Sequence, residues 1–115
     1  MQRGEVRLAD LDPVRASEAD ERRPVVLVGN DRANTTAARL GRGVVTVVPV
    51  TSNVRRVYPF QVLLPAERSG LRVDSKAQAE QVRSVSVDRI GPALARLPVT
   101  LMSEIDDALR LHLDL

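Results

Sequence analysis

Apolar and charged positions alternate at the start of the chain. In residues 5–11, Val6, Leu8 and Leu11 are apolar and charged side chains lie between them, which predicts a half-buried strand. Residues 12–23 contain Pro13 and then six charged side chains, a composition that predicts a long exposed loop. The apolar segment that follows, residues 24–29, is typical of a buried strand.

The middle of the chain alternates between polar connections and β-branched runs. Asn30 is a suitable cap for a short helical turn over residues 33–40. Residues 44–50 are nearly all β-branched but include Pro49. Because proline has no backbone N–H, we expect this strand to be bulged or to lie at an edge of its sheet.

The second half of the chain predicts further short strands and one helix. Strand patterns cover residues 57–64, 72–79, 82–87 and 91–97, with a turn at 65–70. Residues 99–113 predict a helix because apolar side chains recur at every fourth position: Leu101, Ile105, Leu109 and Leu113. We expect Thr100 or Ser103 to cap this helix and Glu104 to stabilise its first turn through the helix dipole. Six or seven short strands with one C-terminal helix favour a small, mainly β barrel that forms a single domain over residues 1–115.

Composition removes several classes of chemistry. The chain has 115 residues, 2% aromatic side chains and no cysteine, so we expect an aliphatic core and neither a disulfide scaffold nor a thiolate site. A single histidine, His112, and the absence of metal-ligand spacing or a Gly-rich phosphate loop predict that no metal or other cofactor is used. The N-terminus does not resemble a signal peptide, and no apolar run approaches the ~18 residues of a membrane span. We therefore expect a cytoplasmic protein without membrane association.

Charge is distributed unevenly along the chain. Residues 32–66 contain no Asp or Glu and carry five arginines, whereas residues 103–115 carry four acids and one arginine. A basic stretch of this kind suits a polyanionic partner. It is equally consistent with ordinary solvated loops, and charge alone leaves both interpretations open.

Side chains suited to phosphate chemistry follow or precede two of the predicted strands. Arg23 directly precedes the buried strand at 24–29, and Thr51, Ser52 and Asn53 directly follow the strand at 44–50. If these strands are neighbours, Arg23 and Thr51 meet at one rim of the barrel. RNA supplies its own nucleophile, so an arginine that stabilises negative charge and a positioned hydroxyl can suffice for cleavage. Locally, a solvated arginine pair and an ordinary turn explain the same residues.

Short segments in order along nearly the whole chain resemble the MazF family of toxin endoribonucleases, the toxin half of bacterial toxin–antitoxin modules. The matching segments are RGEV at 3–6, ADLDP at 9–13, SE at 17–18, RPVVLV at 23–28, ND at 30–31 with Asn34, VPVTS at 48–52, YPF at 58–60, DSKA at 74–77 and EQVRS at 80–84. The resemblance implies an SH3-like β-barrel of the CcdB/MazF type, working as a homodimer on single-stranded RNA without a metal. It also implies a cognate antitoxin whose acidic tail lies along the basic groove.

The resemblance assigns roles to particular residues. Arg23 and Thr51 match the family's catalytic positions. In the implied mechanism the RNA 2′-hydroxyl attacks phosphorus, leaving a 2′,3′-cyclic phosphate and a 5′-hydroxyl, while Arg23 stabilises the phosphorane and is a candidate to protonate the leaving oxygen. Base-binding positions of the family, together with their neighbours here, predict an RNA-contacting set: Glu18, Ser52, Asn53, Lys76, Gln78, Glu80 and Gln81. The alternative is a CcdB-like toxin that inhibits DNA gyrase by binding it, since those toxins share the barrel.

Two features depart from the family pattern. Arg7 stands where the family often has an aromatic residue, and the first loop is acidic over residues 16–21 where relatives are often Gly-rich. Acidic groups beside an RNA groove repel phosphate, so this loop is a candidate gate over Arg23, testable by deleting Asp20 and Glu21. Of the two aromatic side chains, we expect Phe60 to pack in the core and leave Tyr58 open to base stacking.

Overall fold

The computed structural model describes residues 1–11 and 22–115. Its elements in chain order are β1 (Glu5–Asp10), β2 (Arg22–Leu27), α1 (Asp31–Leu40), β3 (Val44–Thr51), β4 (Gln61–Leu64), α2 (Ala66–Ser69), β5 (Ser75–Gln78), β6 (Arg83–Ser86), β7 (Ile90–Arg96) and α3 (Val99–Leu113). Short 3₁₀ turns at Ala79–Gln81 and Val87–Arg89 connect β5 to β6 and β6 to β7.

The strands form one curled antiparallel sheet with the order β4-β5-β3-β2-β1-β7, and β6 also pairs with β3. Along one side β3 pairs with β2, and along the other side it pairs first with β6 and then with β5. Within the described ranges β4 and β7 do not pair, so the sheet is barrel-like without being closed. A mainly β fold of the predicted SH3-like type with a C-terminal helix is confirmed.

The expectation that the Pro49 strand is bulged or lies at an edge was wrong, because β3 is central and its register with β2 is unbroken from Val47 to Pro49. The Thr46 carbonyl accepts a hydrogen bond from Val28 N at 3.0 Å, which turns the backbone groups of Thr46 toward β2. Since these groups alternate along a strand, the Pro49 nitrogen faces the opposite side. There β3 pairs with β6 through Val47 and with β5 from Val50 onward. Pro49 therefore lies where no ladder N–H is required.

Other boundaries also differ from the predictions. The strand expected at 57–64 begins only at Gln61, because a turn closed by Gln61 N donating to Tyr58 O precedes it. The turn expected at 65–70 contains the short helix α2, which ends at Gly70 in the left-handed conformation. The helix predicted over 99–113 is confirmed, and so is the cap at Asn30, whose side chain accepts from Ala33 N.

The predicted caps of α3 were wrong. Pro98 occupies the N-cap position, and no side chain caps the helix. The Thr100 hydroxyl instead accepts a hydrogen bond from Arg68. The first turn of α3 carries no acid, so Glu104 lies too far along the helix to act on its N-terminal dipole.

The core consists of two aliphatic clusters on opposite faces of β2 and β3. One cluster lies between the sheet and α3 and includes Val26, Val48 and, from α3 itself, Ile105. The other lies between the sheet and α1 and includes Val25 and Val47. Alternate residues of both strands thus enter different clusters, as the two-residue period of a strand requires. Phe60 is half-buried and belongs to neither cluster, so the prediction that it packs in the core was wrong.

None of the helices in residues 1–11 and 22–115 is long and apolar enough to span a bilayer.

Candidate functional site

The pairing of β2 with β3 brings Arg23 and Thr51 together. Val25 is in register with Pro49, and continuing the antiparallel register by two residues places Arg23 opposite Thr51. Side chains directly opposite on adjacent strands lie on the same face, with Cβ atoms about 5 Å apart. Both residues line one open pocket of about 470 Å³.

Polar side chains from β2, β3, β5 and β6, and from the 3₁₀ turn that follows β5, surround this pocket. Its lining residues are Leu11, Arg23, Pro49, Val50, Thr51, Gln78, Gln81 and Arg83. This set supplies two guanidinium groups, two amides and one hydroxyl, and none of the described lining residues carries a carboxylate. Such a lining attracts anions and offers planar donors that match phosphate oxygens.

Arg83 is a lining residue that the sequence analysis did not identify. It lies on β6 in register with Val47 of β3, and its Nη1 donates to Leu11 O at 3.1 Å. Val47 shares a face with Pro49 and Thr51, so the β3–β6 pairing places Arg83 on the side of the sheet that holds Thr51. The alternation of residues 82–87 predicts a strand, but the sequence does not reveal that this strand pairs with β3 and so brings Arg83 to the pocket.

Thr51 begins a hydrogen-bonded turn at the end of β3. Its Oγ1 accepts from Asn53 N at 3.2 Å, and Asn53 Oδ1 accepts from Arg55 N at 3.3 Å. These bonds fix the position of the hydroxyl oxygen, while the hydroxyl proton remains available for a ligand. Ser52 and Asn53 are exposed beside the pocket and do not line it.

The remaining predicted RNA contacts are divided between the pocket and the loop over residues 52–60. Gln78 and Gln81 line the pocket with Arg23 and Thr51. Lys76 is buried and its Nζ donates to Arg56 O at 2.6 Å. Glu80 Oε2 accepts from Gln61 Nε2 at 2.7 Å. Thus Lys76 and Glu80 hold the loop and its neighbouring strand, and neither lines the pocket.

Several predicted features lie outside the described residues. Glu18 and the acidic loop at 16–21, with Asp20 and Glu21, belong to this group. Among residues 1–11 and 22–115, no cluster of three His, Cys, Asp or Glu side chains is arranged to hold a metal. His112 is exposed near the end of α3.

Arg7, which departs from the resemblance, joins β1 to β7. Its Nε donates to Glu5 Oε1 at 2.8 Å and its Nη1 donates to Gly91 O at 3.0 Å. Burial by itself would raise the pKa of Glu5, but the hydrogen bond and positive charge of Arg7 outweigh it and hold that pKa below its ordinary value of 4.5. Arg7 therefore has a structural role in the sheet.

A curled antiparallel sheet with a C-terminal helix and an arginine-lined pocket at one rim defines a small β-barrel-like protein whose pocket lining suits an anion. Residues 2–113 match the family model described as the PemK-like, MazF-like toxin of type II toxin–antitoxin systems. The chain belongs to this family.

Relatives and solved structures agree with this assignment. The chain is 59% identical over 115 residues to endoribonuclease MazF9 of Mycobacterium tuberculosis, covering all of this chain and 98% of that protein. It is 31% identical to endoribonuclease EndoA of Bacillus subtilis, covering 100% of this chain and 96% of the relative. The crystal structure of MazF from Deinococcus radiodurans superposes with a TM-score of 0.74 at 26% identity, covering 100% and 97% of the two chains. A mycobacterial endoribonuclease in complex with its cognate antitoxin has the same fold, with a TM-score of 0.75 at 24% identity and coverage of 100% and 96%.

Proposed function

We propose that residues 1–115 form one toxin domain that cleaves single-stranded RNA at short sequence motifs without a metal. The observation that carries this proposal is the meeting of Arg23 and Thr51 at one open, arginine-lined pocket. Curated relatives that match nearly the whole chain are named endoribonucleases, which supports the same activity.

In the proposed reaction the substrate provides the nucleophile. The 2′-oxygen forms a bond to the adjacent phosphorus and the bond from phosphorus to the 5′-oxygen breaks, which yields a 2′,3′-cyclic phosphate and a 5′-hydroxyl. The 2′-hydroxyl gives up its proton to solvent, and solvent protonates the leaving oxygen. We assign this last step to water because an arginine guanidinium keeps its proton at ordinary pH.

The pocket residues then have separate roles. Arg23 stabilises the negative charge that develops on the phosphorane, and Thr51 donates its hydroxyl proton to a phosphate oxygen and aligns the scissile group. Arg83 places a second positive charge beside the sugar–phosphate backbone of the RNA. Gln78 and Gln81 present their amide groups to the bases. Amides can pair with the edges of unstacked bases, which is how single-stranded RNA is usually read.

The proposed partners and location rest on the family resemblance. We propose a homodimer in the cytoplasm, neutralised by a cognate antitoxin whose acidic C-terminal tail occupies the arginine-lined pocket. Structural relatives include a mycobacterial endoribonuclease solved with its cognate antitoxin, which supports an antitoxin partner. A gyrase-binding toxin of the CcdB type is less favoured, because such binding needs no arginine and hydroxyl placed together at one pocket.

The experiment is cleavage of a long single-stranded RNA by the purified chain in excess EDTA. We expect discrete products, and loss of Arg23 as a charge donor (Arg23→Ala) should lower the rate about 10²- to 10³-fold. Arg32→Ala is the matched control, because Arg32 is exposed on α1 away from the pocket. Intact RNA at a molar excess of wild-type protein, or full activity in Arg23→Ala, would contradict the proposal.

A further inference from the structure

The two aromatic side chains of the chain lie on a surface loop instead of in the core. Tyr58 and Phe60 stack with ring centroids 5.4 Å apart and planes 3° from parallel, and Tyr58 is 41% exposed. Neither of the two core clusters includes them. Aromatic rings normally gain most by full burial, so an exposed stack places planar π surface where a ligand can reach it.

An arginine extends this stack. The Arg56 guanidinium carbon lies 5.7 Å from the Tyr58 ring centroid, and Arg56 Nη1 donates to the Tyr58 hydroxyl at 3.1 Å. We call Arg56, Tyr58 and Phe60 the stacking column. Aromatic rings and guanidinium planes are the two kinds of surface on which proteins stack unpaired RNA bases.

Buried polar contacts hold the stacking column in place. Tyr58 N donates to Gln61 Oε1 at 3.1 Å, and Gln61 Nε2 donates to Glu80 Oε2 at 2.7 Å. From the other side, Lys76 Nζ donates to Arg56 O at 2.6 Å. Gln61 and Lys76 are each 8% exposed, so these bonds are shielded from water and the backbone of the column is fixed before a ligand arrives.

The column is joined to the candidate site through β5. Lys76, which holds Arg56, is in register with Thr51, and Gln78, which lines the pocket, is in register with Gln61. The loop that carries the column begins directly after Thr51, in a stretch of 35 residues (32–66) without an acidic side chain. The loop itself therefore presents no acidic side chain to an RNA strand held at Thr51.

We propose that Arg56, Tyr58 and Phe60 form a stacking site for one base of the RNA that flanks the scissile phosphate. The base stacks on the Tyr58 ring and takes the place of the Arg56 guanidinium, which then contacts a phosphate. This inference rests on the proposed RNA cleavage. Lys76 and Glu80 are positioning residues in it, acting through the loop backbone and not on RNA.

The first test uses the tyrosine itself as a reporter. The chain has one tyrosine and no tryptophan, so tyrosine emission comes from Tyr58 alone. A 2′-O-methyl oligonucleotide that contains the cleavage motif and carries a fluorescein label is titrated into wild-type protein. We expect Tyr58 emission to fall in step with the rise in fluorescein anisotropy. Tyr58→Phe provides the blank for background emission, and free tyrosine titrated with the same oligonucleotide corrects for the light that the oligonucleotide absorbs.

The second test uses cleavage kinetics. Tyr58→Ala should raise KM about 5- to 150-fold, the usual effect of losing one base–aromatic stack, with a smaller change in kcat. Tyr58→Phe keeps the ring and should stay within a few-fold of wild type. Leu40→Ala is the matched control, because Leu40 is an exposed apolar side chain (52%) at the far end of α1.

The outcomes separate the two proposals. Anisotropy that rises while Tyr58 emission stays constant, or a Tyr58→Ala variant with wild-type KM, would overturn the stacking site and leave RNA cleavage standing. No binding and no cleavage by the wild-type protein would overturn both. A Tyr58→Ala variant that handles RNA normally but loses affinity for an acidic antitoxin peptide would show that the column is a protein-docking surface instead.

Discussion

Replacing Thr51 with valine removes one hydroxyl group and preserves the shape of the side chain. Thr51 lines the pocket opposite Arg23, and its Oγ1 accepts one hydrogen bond, from Asn53 N at 3.2 Å. The substitution therefore affects two interactions: this turn bond and the proposed contact with the phosphate. Because the two differ in strength, their losses can be distinguished.

The magnitudes favour activity as the sensitive quantity. Asn53 N is exposed and can bond to water instead, so the lost turn bond should cost at most about 1 kcal/mol of folding stability. A hydrogen bond to a charged phosphate contributes about 1.5–3 kcal/mol, which corresponds to about 10- to 150-fold in kcat/KM. Thr51→Ser keeps the hydroxyl and should retain most of the activity.

The assay is single-turnover cleavage of an end-labelled RNA, with the Tm of each variant measured beside it. Thr36→Val is the control, since Thr36 is exposed on α1 outside the pocket. A Thr51→Val variant that cuts at the wild-type rate, or a Thr51→Ser variant that falls as far as Thr51→Val, would refute the assignment of the hydroxyl to the phosphate.

Three further predictions concern charge, core and pH. Arg83→Ala should weaken binding of an uncleavable single-stranded oligonucleotide and reduce the salt slope of log Kd by about 0.7, whereas Arg39→Ala, exposed on α1, should leave the slope nearly unchanged. An unchanged slope in Arg83→Ala would argue against a phosphate contact. Ile105→Ala should lower the free energy of unfolding by about 2–5 kcal/mol in urea titrations, because Ile105 is fully buried on the inner face of α3. Leu111→Ala, 58% exposed on the same helix, should change it by less than about 0.5 kcal/mol, and equal losses in the two variants would contradict the packing. The pKa of Glu5 is held below 4.5 in the folded chain, so the stability that its charged form contributes is complete above that pH and is lost as the pH falls through the lowered pKa. Glu5→Gln should therefore flatten the pH dependence of the free energy of unfolding below about pH 4.5. An identical acid profile in both proteins would disprove the pairing with Arg7.

Most elements could be predicted because their signals are local. Asn30 followed by a helical segment, the four-residue spacing of Leu101 and Ile105, and the alternation at Val6 and Leu8 each act within a few residues. The error at Pro49 had a non-local cause. Proline is excluded from strand positions whose N–H must donate to a neighbouring strand. Which positions of β3 must donate depends on where β6 ends and β5 begins.

The candidate site could be predicted only in part for the same reason. Family resemblance pointed to Arg23 and Thr51, and local signals alone left them ambiguous with a solvated arginine pair and a turn. Arg83 reaches the pocket through the β3–β6 pairing, which no pattern within 82–87 reveals. The motifs group Lys76 and Glu80 with the RNA contacts, but hydrogen bonds to Arg56 O on the 52–60 loop and to Gln61 Nε2 on β4 determine where their polar atoms point.

A single 2′-deoxy substitution in the substrate tests most directly whether RNA supplies the nucleophile. The experiment compares an RNA containing one mapped cleavage motif with the same RNA lacking only the 2′-hydroxyl at the nucleotide before the cut. The proposed mechanism predicts that the deoxy substrate binds with similar affinity and is not cut, while the parent yields a 2′,3′-cyclic phosphate in the presence of EDTA. Cleavage of the deoxy substrate at the same bond would show that water or a protein side chain attacks phosphorus, and would contradict the proposal that the RNA supplies its own nucleophile.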